Sequence, residues 1–263
     1  MRRFGLKILI LSLGLLGLLK AFETQLTFPL DPTPVAPSDV GLRGVEVIEM
    51  PTADGETVIV WHKPAAPLAP HIVYFPGNAG NLGNRAQRFQ RFEAQGIGWT
   101  ALAYRGSTGS TGSPSEPVLM ADARLLIARV TEPRPAASLI YYGESLGTGI
   151  AVQLAAAVPP RAVILEAPYR SLPDAALYGI APASIAVLFN NQFNTLDHIA
   201  SVTAPLLILH GTDDEVIPFS HGQAVFDAAA SPDKTFMALD GIGHANVWTA
   251  QAQRALWQFL RAQ

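Results

Sequence analysis

Two periodicities divide the chain. Val45–Met50 and Thr57–His62 alternate apolar and polar positions around Asp54-Gly55, which predicts a β-hairpin. His71–Phe75 is a short β-rich run, Trp99–Tyr104 reads as the next strand, and one more strand ends at Leu239. Ser138–Tyr142, Ala162–Leu165 and Leu206–Leu209 are continuous apolar runs bounded by Gly, Pro or charge, the pattern of parallel strands buried on both faces. Helical patterns lie between them, at Asn84–Gln95, Val118–Val130, Leu146–Ala157, Phe219–Ala229 and Val247–Arg261. Strands separated by helices predict an α/β fold, a doubly wound and mostly parallel sheet with helices on both faces. No segment of 20–50 residues repeats, so solenoids and propellers are excluded.

The amino terminus follows neither period. Met1-Arg2-Arg3 and Lys7 precede Ile8–Leu19, a run of only Ile, Leu, Ser and Gly. As a helix this run spans about 18 Å, short of the roughly 30 Å hydrocarbon core; extended over Phe4–Phe22 it reaches about 28 Å, with Lys7 and Lys20 snorkelling to the interfaces. Residues 1–22 therefore read as an uncleaved signal anchor or as a cleaved signal peptide, and a core helix is a third reading. Leu19-Lys20-Ala21 lacks a clean small-x-small cleavage site, which favours the anchor. Basic residues before the run would hold the tip in the cytoplasm and place the rest on the non-cytoplasmic side, or leave it secreted or periplasmic after cleavage. Residues 23–40 carry Pro29, Pro32, Pro34 and Pro37 and read as a semi-rigid linker, with the domain proper at 41–263.

Composition narrows the function. With 49% hydrophobic and 15% charged residues in 263, the chain has apolar surface enough for one folded domain. A net charge of −3 argues against a nucleic-acid partner. The absence of cysteine removes zinc-finger, iron–sulfur, thiol-nucleophile and disulfide chemistry together.

What chemistry remains sits at strand ends. Tyr141-Tyr142-Gly143-Glu144-Ser145-Leu146-Gly147 runs from a predicted strand into an Ala-rich helix and contains Gly-x-Ser-x-Gly. A chain that turns this sharply strains the serine backbone, and side chains two positions to either side would collide, so glycine is needed at both. A serine hydroxyl needs a base to become a nucleophile, and the base needs a group to orient it. Candidates follow in the order Ser, Asp, His: Asp214 in the acidic loop after Leu206–Leu209, and His244 in the loop after Leu239. Asp213 competes with Asp214 for the acid role, with Asp240 and Glu166 as outsiders. Among the remaining histidines, His210 reads as support for the acid loop, and His62, His71, His198 and His221 as surface or packing residues.

Gly143–Gly147, His210–Pro218 and Gly243-His244, taken in that order, resemble the α/β-hydrolase superfamily over nearly all of residues 41–263. More narrowly the chain is similar to compact, membrane-anchored α/β-hydrolase domain proteins, a group of serine hydrolases. In them His-Gly-x-x-Asp-x-x-Val-Pro places the acid at the residue matching Asp214, here with Ile217 before Pro218. Their His-Gly-Asn-Ala turn is matched by Pro76-Gly77-Asn78-Ala79, with Pro76 replacing the histidine, and Tyr104-Arg105-Gly106 matches their Tyr-Arg-Gly loop. The resemblance implies catalytic Ser145, Asp214 and His244, with the backbone N–H groups of Asn78 and Leu146 as the oxyanion hole. It implies no metal and no organic cofactor. Residues 167–204 leave room for a small cap only, in which Tyr178, Ile180, Ile185, Leu188 and Phe189 would line an acyl pocket or pack on the sheet. The activity implied is cleavage of carboxylic esters or thioesters of small acyl compounds, lipids or lipidated proteins, with membrane contact through the N-terminal helix. A serine peptidase of the same fold and a non-catalytic binding module are the alternatives.

Overall fold

The computed structural model describes residues 17, 22–66, 69–132, 135–178 and 188–263. Eight strands form one sheet: β1 (Glu46–Pro51), β2 (Thr57–Lys63), β3 (His71–Phe75), β4 (Gly98–Leu102), β5 (Leu139–Glu144), β6 (Ala162–Glu166), β7 (Leu206–Gly211) and β8 (Lys234–Leu239). Their order is β1-β2-β4-β3-β5-β6-β7-β8. The hairpin expected around Asp54-Gly55 is present, and β2 runs antiparallel to both β1 and β4. From β4 to β8 every pairing is parallel. This is the α/β-hydrolase fold.

Helices cover both faces because the strands are apolar on both. In β3, Ile72 and Tyr74 join one buried cluster while Val73 and Phe75 join the other, the alternation expected of a pleated strand. Helices α1 (Ala86–Ala94) and α7 (Ala250–Ala262) seal the first face through Phe89, Phe92, Leu256 and Leu260. Phe89 stacks on Trp99 at 4.2 Å between ring centroids, and Phe92 meets Trp248 and Trp257 edge to face. The second face is covered by α2 (Glu116–Thr131), α3 (Leu146–Ala157) and α6 (Phe219–Ala228), through Leu119, Leu126, Ile150, Leu154 and Val225. Two short helices, α4 (Leu172–Ala176) and α5 (Thr195–Ile199), occupy the segment expected to form the cap.

The Pro-rich segment departs from the expected spacer. Phe28 is buried in the core, and Leu30 makes a parallel bridge with Gly80. The carbonyls of Pro29, Asp31 and Pro32 accept from the N–H groups of Gly80, Thr108 and Gly109 at 3.0–3.3 Å. Prolines lack a donor but keep their carbonyls and hold an extended backbone, so a proline-rich strip can be stitched along a loop edge as readily as it can stand clear. Upstream, Glu23 lies in a helical stretch over 22–27 and is only 4% exposed. Its carboxylate accepts from the N–H groups of Asn190 and Asn191 and from the Asn191 side chain, at 2.8–3.0 Å. The apolar run 8–19, Gly17 apart, lies outside the described residues. Among the described residues no helix is long and apolar enough to cross a membrane.

Glu23→Ala would strip three donors of one buried acceptor. Each buried donor left unmade costs roughly 1–3 kcal/mol before water relieves it, so a loss of about 2–3 kcal/mol is expected in urea unfolding. A midpoint within error of the parent would show that the 22–27 stretch does not stay docked.

Candidate active site

Ser145 sits between β5 and α3 with φ 50° and ψ −115°, outside the regions a serine backbone favours. The turn is pinned on both sides. The Ser145 N–H donates to the Glu166 carbonyl at 2.8 Å, and the Ser145 carbonyl accepts from the Thr148 N–H at 2.9 Å and the Thr148 hydroxyl at 2.7 Å. The flanking glycines are needed for space. A Cβ on Gly143 would stand 2.5 Å from the Gly147 carbonyl oxygen, and one on Gly147 only 2.0 Å from that of Phe75. The close approach of Gly147 brings the end of β3 and the loop after it beside the serine.

The loops after β7 and β8 bring the other candidates to Ser145. His244 Nε2 lies 3.0 Å from Ser145 Oγ, and His244 Nδ1 lies 2.7 Å from Asp214 Oδ2. The imidazole is about one-fifth exposed and the Asp214 carboxylate fully buried. Asp214 Oδ1 accepts from the N–H groups of Val216 and Ile217 at 2.9 and 2.7 Å, so this oxygen holds the acid loop while the other faces the imidazole. Burial opposes ionisation of Asp214. The hydrogen bonds from His210, His244 and the Ile217 N–H outweigh it and hold the carboxyl below the usual carboxylate range. His210 is buried, with Nε2 3.0 Å from the Ile217 carbonyl and 3.5 Å from Asp214 Oδ2, in the supporting position expected of it.

The competing residues lie elsewhere. Asp213 is exposed and accepts from the Thr212 hydroxyl, and Asp240 is exposed. Glu166 is buried against Arg88 and the Tyr142 hydroxyl. His62 and His71 both hydrogen-bond the Thr100 hydroxyl at the opposite end of the sheet, and His221 packs under Tyr178. Tyr178 and Leu188 are exposed, Phe189 is half-buried, and Ile180 and Ile185 lie outside the described residues.

On the near side of Ser145 runs the loop 76–81. A Cβ on Gly77 would meet Ser145 Cβ at 3.5 Å, so Asn78 follows the residue that approaches Ser145. Leu146 is the first residue of α3, where helix N–H groups have no intrahelical acceptor. Pro76 stands where the resemblance expects histidine, and its carbonyl accepts from the Tyr104 hydroxyl at 2.7 Å. The Asn78 side chain donates to the Thr27 carbonyl at 2.8 Å, so the N-terminal segment touches this loop too.

Glu144, the residue before Ser145, is bound by the Arg85 fork and by the Tyr74 hydroxyl. Nothing in the sequence pattern singled out Arg85 or Glu144. Both stand in segments read only for periodicity or for the glycines around them, and a pairing across 59 positions leaves no local trace. Among the described residues, no group of three or more His, Cys, Asp or Glu could hold a metal ion.

A model of the family described as serine aminopeptidase, S33, matches residues 67–196 and 179–247. The chain belongs to this family of α/β-hydrolases. It is 30% identical over 218 residues to an uncharacterized protein of Mycobacterium tuberculosis, covering 81% of this chain and 76% of that one. It is 29% identical over 236 residues to the lysophosphatidylserine lipase ABHD12 of Danio rerio, covering 74% of this chain and 61% of the lipase. In structure it is similar to the Pyrococcus furiosus esterase Pf2001, with TM-score 0.71 at 15% identity over 90% of this chain and 96% of the esterase. The comparisons make this chain a hydrolase.

Acid should weaken the fold through Glu144. Burial raises its carboxyl, but Arg85 first, then Arg88 and the Tyr74 hydroxyl, pull it from 4.5 down to about 2. A depressed carboxylate stabilises the fold above its unfolded value, and that contribution disappears as pH falls from about 4.5 to about 2. Unfolding free energy followed by denaturant between pH 6 and 2.5 should therefore drop more steeply for the parent than for Glu144→Gln, by on the order of 3 kcal/mol in total. Parallel curves would remove Glu144 as the cause.

Proposed function

We propose that this chain is a serine hydrolase that cleaves carboxylic ester or thioester bonds of acyl substrates through a covalent acyl-enzyme. The observation that carries the reading is the unbroken hydrogen-bond relay Ser145–His244–Asp214, at 3.0 and 2.7 Å. Ser145 Oγ attacks the acyl carbonyl carbon as its proton passes to His244 Nε2. The resulting imidazolium is stabilised by Asp214, which also keeps the resting proton on Nδ1 and leaves Nε2 free to accept. Backbone N–H groups of Asn78 and Leu146 stabilise the oxygen that gains charge, a contribution of roughly 3–4 kcal/mol per donor in serine hydrolases. His244 then gives its proton to the departing alcohol or thiol. Water, deprotonated by the same nitrogen, attacks the acyl-enzyme, and Nε2 returns that proton to Ser145 Oγ as the acyl–oxygen bond breaks and the acid leaves.

The lipase among the relatives favours lipid or other acyl esters, and the basic and apolar start of the chain favours a membrane address for them. In this reading residues 1–22 anchor the enzyme with its domain on the non-cytoplasmic side. The family description favours a second reading, an aminopeptidase. Acyl esters of graded chain length assayed beside aminoacyl amides separate the two: turnover of amides alone would favour the peptidase.

Ser145→Ala should abolish labelling by a fluorophosphonate probe and lower ester turnover by roughly four orders of magnitude or more, with the fold intact by circular dichroism. Persistent labelling would move the nucleophile elsewhere and sink the assignment. Asp214→Asn should cost about ten-thousandfold in kcat, because the imidazole then rests in the wrong tautomer, whereas Asp213→Asn should cost less than about tenfold. Equal losses would overturn the choice between the neighbouring aspartates.

A further inference from the structure

Two halves of the proposed site come from distant parts of the chain. The nucleophile rides on the turn between β5 and α3, and the first oxyanion donor rides on the loop after β3. For such a donor to act, its N–H must stand within about 2.7–3.1 Å of the place the oxyanion will occupy. A fixed spacing between loop and turn is therefore a requirement of the chemistry, and something must set it.

Arg85 touches both halves at once. Its Nε and Nη2 donate to Glu144 Oε2 and Oε1 at 3.2 and 3.0 Å, a two-pronged pairing with the residue immediately before Ser145. Its Nη1 donates in the other direction, to the carbonyls of Ala79 at 2.6 Å and Asn81 at 3.3 Å, in the loop that carries Asn78. The position a Gly77 Cβ would take lies 3.2 Å from Arg85 Nη2, 3.2 Å from Glu144 Oε1 and 3.5 Å from Ser145 Cβ. The ion pair thus lies against both the loop and the turn that carries Ser145, and its side chains are only 12% and 20% exposed. Glu144 is held from a third side by the Tyr74 hydroxyl of β3, so the carboxylate cannot swing away with the guanidinium.

We propose that Arg85 is a positioning residue of this site, which through its fork onto Glu144 and its bonds to the Ala79 and Asn81 carbonyls sets the spacing between Ser145 and the Asn78 N–H. The inference rests on the serine-hydrolase reading. It requires a planar group that donates in two directions, which arginine provides and lysine, a compact point charge, does not. It also assigns the effect to one kinetic parameter. The oxyanion contact forms as charge develops, so loosening it lowers kcat and leaves KM nearly unchanged.

The test is steady-state hydrolysis of a short acyl ester by the full chain carrying Arg85→Gln, Arg85→Lys, Glu144→Gln or the Arg85→Gln/Glu144→Gln pair. Thermal midpoints are measured on the same samples. A misplacement of about 1 Å costs on the order of a hundredfold, so kcat for Arg85→Gln should fall between about tenfold and a hundredfold with KM within about twofold. Arg85→Lys should restore only part of the loss and serves as the readable variant if Arg85→Gln does not fold. The double variant should be no slower than the slower single one, since both remove the same bridge. Unchanged kcat in a folded Arg85 variant, a rise in KM alone, or losses that multiply in the double variant would overturn the inference. Ser145→Ala, assayed beside them, tests the serine-hydrolase reading by itself. Activity retained there sinks that reading, whereas activity lost there with full kcat in the Arg85 variants sinks only the role of Arg85.

Discussion

The backbone of Ser145 is the constraint on which the carboxyl edge of the sheet depends. A positive φ at a serine costs on the order of 1–3 kcal/mol and persists only where neighbours over-determine it. Here they do. Glu166 holds the N–H and Thr148 the carbonyl. Gly143 and Gly147 provide room for the helix to start at once, and the missing Cβ at Gly147 lets the β3 backbone come within contact. The strained turn thus brings together three things: the Ser145 hydroxyl, the start of α3 at Leu146, and the loop that follows β3. Relaxing it would separate all three.

Around this turn the protein has spent buried charge. Two buried ion pairs adjoin it: Arg85 pairs with Glu144, the residue before Ser145, and Arg88 pairs with Glu166, whose carbonyl accepts the Ser145 N–H. Arg88 is also set over the Trp248 ring at 4.3 Å and bonds the Tyr142 hydroxyl. Removing two ion pairs from water gains little net stability on average. A hydrophobic filling of equal volume would hold the sheet as well but could not fix the directions of the loop carbonyls. Buried charge in this layer is better understood as orientation than as cohesion.

The fold was legible in the sequence because its signals are local. Short apolar runs marked the strands, 3.6-residue patterns marked the helices, and Asp54-Gly55 marked the hairpin. Element starts moved by a few residues where a 3-10 segment precedes the helix, as at Leu82–Arg85 before α1 and His244–Asn246 before α7. Ser145, Asp214 and His244 could be named because each stands in a recognisable turn, and the structure brings them within hydrogen-bond reach. The role of residues 22–35 was not legible. Proline content reads as a spacer, and only the placement of Gly80 and Gly109 shows whether the proline carbonyls find donors. Arg85 was hidden for the same reason, since its partners are carbonyls and a carboxylate that no periodicity marks.

That docked segment changes how the two ends of the molecule are related. Glu23 is fixed to residues 190 and 191 in the segment expected to form the cap, while four residues later the Thr27 carbonyl holds Asn78 in the loop beside Ser145. Asp31 then takes the Asn81 side chain at 2.6 Å, and Leu30 pairs with Gly80. The same loop is therefore gripped from within by Arg85 and from outside by the segment that leads back to the apolar run 8–19. Phe22 and Leu26, one helical turn apart, remain exposed. Among the described residues from 22 to 42 the chain is bonded or buried at intervals, so this segment is part of the packing around the loop that carries Asn78 and not a spacer standing clear of it.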